Sequence, residues 1–281
     1  MEVLESCKEI NQRIQQLKRQ GKKIGLVPTM GALHRGHISL IKESVNNNNF
    51  TVASIFVNPT QFNDKNDLIR YPRTLEKDLE MLKNADCSMV FTPSEEEMYP
   101  EPDKRIFNFG SIEEVMEGKS RKGHFNGVSQ IVSKLFDAIP ADNAYFGEKD
   151  FQQLAIIKRL VKDYKYPVHI VSCPIIREED GLAISSRNSL LTEEERKNAV
   201  QISQILFKAQ KLPGEKTVDE VKVWVVQELN KNNLFSVDYF EIVDDLELKP
   251  ITEWSENKRK IGCVAVKVGK IRLIDNIKFN S

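Results

Sequence analysis

Lys23 to His37 reads KIGLVPTMGALHRGH, and the folding of this stretch decides the architecture. Lys23 to Met30 is a short apolar run of β-forming residues closed by Pro28, and His37 to Val45 (HISLIKESV) then spaces its apolar residues as a helix does. The stretch is therefore strand, tight loop, helix. The same cycle recurs downstream. Phe50–Val57 reads as a strand, Thr74–Ala85 as a helix and Met89–Thr92 as a short strand; Val128–Ile139 reads as a helix, Ala144–Gly147 as a strand end, Phe151–Tyr164 as a helix and His169–Cys173 as a strand. Strands alternating with helices predict a parallel sheet wrapped on both faces.

The expected class is α/β, a Rossmann-like doubly wound parallel sheet spanning residues 1–176. Such sheets bind ligands beyond the carboxyl ends of their strands, so the loops after Val27, Val57, Phe146 and Ile176 should face one another. Past Ile176 the pattern changes. Thr192 with Glu195 has the spacing of a capping box opening a helix through Lys211, and Thr217–Asn230 gives another helix. Val237–Val243, Ile261–Val268 and Ile271–Ile274 read as strands, with a tight turn at Gly269-Lys270. A smaller C-terminal α+β domain over residues 177–281 is expected.

Composition narrows the function. In 281 residues, 41 Lys and Arg balance 41 Asp and Glu, which excludes a chain-wide basic field for nucleic acid. The cysteines Cys7, Cys87, Cys173 and Cys263 lie far apart without a CxxC, against a zinc ribbon or disulfide scaffold, and Cys173 and Cys263 read as buried thiols. Glu2, Glu5 and Glu9 among Ile10, Ile14 and Leu17 suggest an amphipathic N-terminal helix without signal-peptide character, and no apolar run approaches bilayer length. A soluble cytoplasmic protein with neither nucleic-acid nor membrane partner is expected.

Chemistry concentrates where strands hand over to helices. A helix N-terminus offers unpaired N–H groups and a positive dipole end, suited to phosphate. His34 and His37 would set two imidazoles beside it, with Gly36 leaving room for a nucleotide; the pair equally fits histidines that satisfy loop carbonyls, whereas a zinc-protease motif lacks the required i, i+4 spacing. Asn58 and Gln61, in NPTQF, can each donate and accept hydrogen bonds, and also suit an Asn-Pro turn. In FGEKDFQQ, Gly147 permits close approach, Lys149 supplies a cation for phosphates, Asp150 can cap the helix and Gln153 shares its face; a capped surface helix would look the same. Ser185, Ser186 and Arg187 form a phosphate clamp or a polar inter-domain loop.

Together HRGH after PTMGAL, NPTQF, GEKD, GHFNGV and SSRN, in this order, resemble the pantoate–β-alanine ligases of the HxGH nucleotidylyltransferase superfamily, relatives of class I aminoacyl-tRNA synthetases. The resemblance implies an ATP-dependent ligase of pantothenate biosynthesis, on the coenzyme A pathway, joining pantoate to β-alanine through pantoyl adenylate with release of AMP and pyrophosphate. ATP is a substrate, Mg²⁺ its companion, and the protein a homodimer. The alternative is an HxGH adenylyltransferase acting on another small acceptor. Residues implied to hold ATP are Met30, Gly31, Ala32, Leu33, His34, Arg35, Gly36 and His37, then Gly147, Glu148, Lys149 and Asp150, then Ile176, Ile184, Ser185, Ser186 and Arg187. His34, His37, Lys149 and Arg187 are the implied catalytic group, and Gln61 and Gln153 the pantoate ligands, Gln61 serving β-alanine later, with Asn58 beside them. Ile184 stands where the family usually has Met. Tyr71-Pro72-Arg73 also resembles the family, and Asp78 is a surface carboxylate able to meet Mg²⁺. The segment from Gly123 to Val128, after Lys119, Arg121 and Lys122, reads as a mobile lid with His124 a participant, and His169 as a satisfied core histidine.

Overall fold

The structure, a computed structural model, describes residues 1–63 and 65–279. Its first half alternates β1 (Glu2–Leu4), α1 (Cys7–Arg19), β2 (Ile24–Thr29), α2 (Arg35–Asn47), β3 (Phe50–Ile55), α3 (Lys65–Arg70), α4 (Leu75–Asn84) and β4 (Met89–Phe91). Then come α5 (Glu95–Met98), α6 (Met116–Ser120), α7 (His124–Ala138), β5 (Asn143–Gly147), α8 (Phe151–Tyr164) and β6 (His169–Cys173). These strands form a six-stranded parallel sheet in the order β1-β4-β3-β2-β5-β6. The chain steps one way from β2 through β3 to β4 and the other way through β5 to β6. The order therefore reverses between β2 and β5, and a crevice opens at their carboxyl ends.

Side chains alternate across each strand, so one run of apolar residues serves two cores. Ile24 and Leu26 of β2 and Ala144 and Phe146 of β5 face a core completed by α1, α7 and α8. Val27 and Tyr145 point to the opposite face, against Leu40 and Ile41 of α2 and Leu82 of α4. The sheet is doubly wound, as the alternation of sequence patterns implies.

Beyond β6 lie α9 (Glu193–Ala209), α10 (Val218–Asn230) and the antiparallel strands β7 (Phe235–Asp244), β8 (Lys260–Val268) and β9 (Ile271–Phe279). Both helices start on capping boxes, the expected Thr192/Glu195 pair and a second from Thr217 and Glu220. Leu182 belongs to the core of this smaller layer. Val243, Ile261 and Cys263 instead join the core of the large sheet, so the three-stranded sheet is docked on it.

Three expectations change. The N-terminus begins with an edge strand, β1, before its amphipathic helix, because Glu2–Leu4 finds a parallel partner in Met89–Phe91. His169 is exposed at the start of the edge strand β6. GHFNGV is no lid: His124 opens α7, whose Phe125, Val128, Ile131, Val132, Leu135 and Phe136 are each at most 6% exposed. Lifting it would return about 1.5–3 kcal/mol per large apolar side chain to water, far beyond what a mobile flap can bear. Cys173 and Cys263 are buried thiols, as expected. Among the described residues no helix is long and apolar enough to cross a membrane.

Candidate active site

The crevice at the strand reversal is a cleft of about 990 Å³, open to solvent. Its first wall is the corner from β2 to α2. Thr29 Oγ1 donates to the Ser54 carbonyl at 2.7 Å and accepts from the Gly31 N–H at 3.2 Å. Asp78, expected as a surface carboxylate for a metal, is 1% exposed; its oxygens accept the N–H groups of Ala32 at 2.9 Å and Leu33 at 2.8 Å, and the Thr74 hydroxyl at 3.1 Å. It is the internal brace of this corner. Met30, Gly31, Ala32 and Leu33 form the braced loop, and α2 starts directly behind it.

His34 occupies the N-cap of α2 and His37 its first turn; the rings stack at 4.0 Å with planes 23° apart. A Cβ on Gly36 would come within 3.0 Å of the His34 ring, so the space expected for a nucleotide at this glycine is taken by the imidazole. The Nδ1 atoms of both rings are buried with no hydrogen-bond partner among the described residues. Burial, reinforced by the charge of Lys149, pushes His34 down to about 4; burial, His34 and Lys149 push His37 down to about 3. Both rings are neutral at pH 7, so each carries one N–H donor. Arg35 is turned outward and paired with Glu178 of the following layer.

The second wall is the β5–α8 junction. Gly147 borders open space. Glu148 is occupied elsewhere: its carboxylate holds Lys278 at 2.7 and 2.9 Å, and its carbonyl, like that of Lys149, accepts from the Asn276 amide. Lys149 lines the cleft, with Nζ 3.8 Å from Asp150. Asp150 stands at the N-cap of α8 but makes no capping bond with its side chain, contrary to expectation, and is exposed beside Lys149. Gln153 faces the cleft one turn on, while Gln152 is buried and bonded to Ile112, Val115 and Glu117.

The third wall comes from the strand-like pairing after β6. The Ile184 N–H donates to the Ile176 carbonyl at 3.0 Å, which sets both residues on the cleft. Ser185 Oγ accepts the Arg187 N–H at 3.3 Å, and the Asn188 amide donates to the Ala183 carbonyl at 3.1 Å, shaping a short 3-10 turn that presents Ser185, Ser186 and Arg187.

The NPTQF loop lies below the cleft. Gln61 is 8% exposed and donates to the Met30 sulfur at 3.1 Å, on the cleft lining. Asn58, expected beside the substrate, is 1% exposed, and its amide is occupied: it donates to Gln61 Oε1 at 3.2 Å and to the Gly127 carbonyl at 3.1 Å, and accepts from Tyr99 at 2.7 Å and from Thr60 at 3.2 Å. It shapes the loop instead of facing the cleft. Sequence reasoning missed the brace at Asp78 and the hold of Asn276 and Lys278 on the second wall. Their partners lie 45 to 130 residues away, so no local spacing marks them.

A model of the pantoate-beta-alanine ligase family matches residues 2–278. The pantothenate synthetases of Bacteroides thetaiotaomicron and Porphyromonas gingivalis are 53% and 54% identical over 279 residues, covering 99% of each chain. The crystal structure of pantothenate synthetase from Thermus thermophilus superimposes with a TM-score of 0.93 at 39% identity over 100% of both chains. That of the Francisella tularensis pantoate-beta-alanine ligase, complexed with beta-gamma ATP and beta-alanine, gives 0.83 at 36% identity, over 99% of this chain and 97% of the other.

Proposed function

This chain belongs to the pantoate–β-alanine ligase family and is an ATP-dependent ligase; from that premise we propose that it condenses pantoate with β-alanine through a pantoyl-adenylate intermediate, releasing AMP and pyrophosphate. The observation that carries the reading is the neutral, stacked His34/His37 pair at a helix N-terminus, with both Nδ1 atoms lacking a protein partner among the described residues. The ATP and β-alanine of the Francisella ligase complex point the same way.

ATP lies along the crevice, with its adenine near Ile176 and Ile184 and its triphosphate between the α2 terminus and the Ser185–Arg187 turn. Met30 and Gly147 line the cleft beside the nucleotide, while Gly31, Ala32 and Leu33, their N–H groups taken by Thr29 and Asp78, hold the corner in shape. Pantoate sits against Gln61 and Gln153, neutral amides that hold its hydroxyl and carboxylate without quenching the nucleophile. The carboxylate attacks the α-phosphorus and the bond to the bridging oxygen of pyrophosphate breaks. As charge builds on the phosphate oxygens, the imidazole N–H groups and Lys149 stabilise it, and Ser186 and Arg187 hold the departing pyrophosphate. The β-alanine amine then attacks the acyl carbon, AMP leaves and the amine proton is released. Arg35 and Glu148, already paired across the two layers, set wall position, and Asn58 orients Gln61. Mg²⁺ bound with the triphosphate would offset its charge; among the described residues no cluster of three His, Cys, Asp or Glu would hold it.

Purified protein with Mg²⁺-ATP, pantoate and labelled pyrophosphate, and no β-alanine, will exchange label into ATP, and omitting pantoate will abolish the exchange. Exchange that ignores pantoate would point to adenylyl transfer to another acceptor. Pantothenate formation without any exchange would overturn the free release of pyrophosphate.

A further inference from the structure

Behind Gln61 a line of polar groups runs from the NPTQF loop to the three-stranded sheet, and its members Glu117, Arg121 and His124 share a cavity with Lys149 and Gln153. His124, 5% exposed, sets Nδ1 2.9 Å from the Gln61 carbonyl oxygen and Nε2 3.1 Å from Nη1 of Arg121. A guanidinium can only donate, so Nε2 is the acceptor and the ring proton resides on Nδ1, where it is donated to Gln61. Arg121 is itself steadied by Glu117 at 3.7 Å. Glu117, 7% exposed, is held by Arg272 at 2.7 and 2.9 Å and by the Tyr239 hydroxyl at 2.8 Å, and Arg272 by Asp238 at 2.6 Å. The charged end of the line is therefore anchored on β7 and β9.

The loop is closed in from the other side as well. A Cβ on Gly127 would fall 2.4 Å from the Thr60 carbonyl and 2.7 Å from the Gln61 N–H nitrogen, so α7 lies directly against this backbone. With Asn58 on the side chain and His124 on the carbonyl, the Gln61 peptide has one orientation.

We propose that His124 is a positioning residue of the acid subsite: as the Nδ1–H tautomer that the Gln61 carbonyl and Arg121 both require, it fixes the Gln61 carbonyl and thereby aims the Gln61 amide at the carboxylic-acid substrate. The assignment rests on Gln61 being a pantoate ligand. It gives a role to a histidine whose two ring nitrogens are both taken by protein groups, and it ties the acid subsite to the C-terminal sheet through Glu117.

Three variants separate this from a merely structural role. Asn carries an N–H donor where His has Nδ1, whereas Gln carries its donor near the place of Nε2. His124→Asn should keep the pantoate KM within about threefold of wild type, while His124→Gln and His124→Ala should raise it about tenfold, the worth of one buried hydrogen bond. The ATP KM should stay within about twofold in all three. Equal pantoate KM values in the Asn and Gln variants, or ATP and pantoate KM values rising in step, would overturn the proposal. If His124→Ala fails to fold, the Asn and Gln pair still decides. Two-bond ¹H–¹⁵N spectra of the imidazoles supply a readout that needs no substrate: His124 should be the Nδ1–H tautomer in wild type and remain so in Arg121→Met, because the Gln61 carbonyl can only accept, and an Nε2–H ring would refute the line of bonds. Failure of the pantoate reading would show separately, as wild-type protein without pantoate-dependent exchange.

Discussion

Two walls of one cleft are built in opposite ways. The β2–α2 corner is pinned from a distance, by a carboxylate on α4 that is 1% exposed and takes two backbone N–H groups of the loop. The Ser185–Arg187 turn is held by short local bonds, Ser185 to Arg187 and Asn188 to Ala183, on a half-exposed segment. Groups that stabilise developing charge gain most when they need not reorganise, whereas groups that admit a nucleotide and let pyrophosphate go must yield. The rigid wall carries the histidines and the yielding wall the clamp.

The largest expected effect is on the rigid wall. His37→Ala and His34→Ala should each fold yet lose about 10²–10³ in kcat, or about 2.7–4 kcal/mol, as removal of one preorganised donor does. Steady-state turnover with thermal unfolding alongside measures this, and near-wild-type kcat would remove that histidine from the chemistry. Asp78→Ala tests the brace itself. It strands the N–H groups of Ala32 and Leu33, so stability should fall by about 3 kcal/mol, with turnover falling too. A variant as stable as wild type would mean that the corner does not depend on its buried carboxylate.

A smaller effect reads this wall, together with His124 behind the NPTQF loop, through pH. His34, His37 and His124 are held at about 4, 3 and 4, mainly by burial. Their folded values lie below the unfolded value of about 6.5, so the unfolded chain binds more protons between these limits. Their stabilising contribution is complete above pH ~6.5 and declines as pH falls toward 4 and 3. Denaturant midpoints from pH 7 to 4.5 should therefore drop, and His37→Gln should flatten the slope. Parallel slopes for wild type and variant would contradict a buried neutral ring.

The difference between the walls also explains what could be read from the sequence. The corner is legible because apolar alternation, Pro28 and helical spacing act over neighbouring residues, and α8 is legible over Phe151–Tyr164 for the same reason. The brace at Asp78, the burial of Asn58 and the packing of His124 are not legible because each is defined by a partner across the fold: Leu33 is 45 residues from Asp78, Gly127 is 69 from Asn58 and Gln61 is 63 from His124. A carboxylate in the first turn of an amphipathic helix has the same local pattern whether it meets water or a loop. β1 escapes notice because three residues carry too little periodicity, and its pairing with β4 is supplied from 87 residues away.

The smallest expected effect falls on the yielding wall, at Ile184, the position where the resemblance to the family implies Met. Ile184 is 5% exposed, and its N–H is bonded to the Ile176 carbonyl. The backbone bond is indifferent to side-chain identity. Ile→Met in a buried site conserves volume closely, and such exchanges cost less than about 1.5 kcal/mol, since the thioether bends into the space that the branched chain leaves. Ile184→Met should therefore shift the unfolding free energy by less than that and leave the ATP KM within about twofold. If the ATP KM instead moved tenfold at unchanged stability, the side chain itself would be gripping the base, and the third wall would be as preorganised as the first.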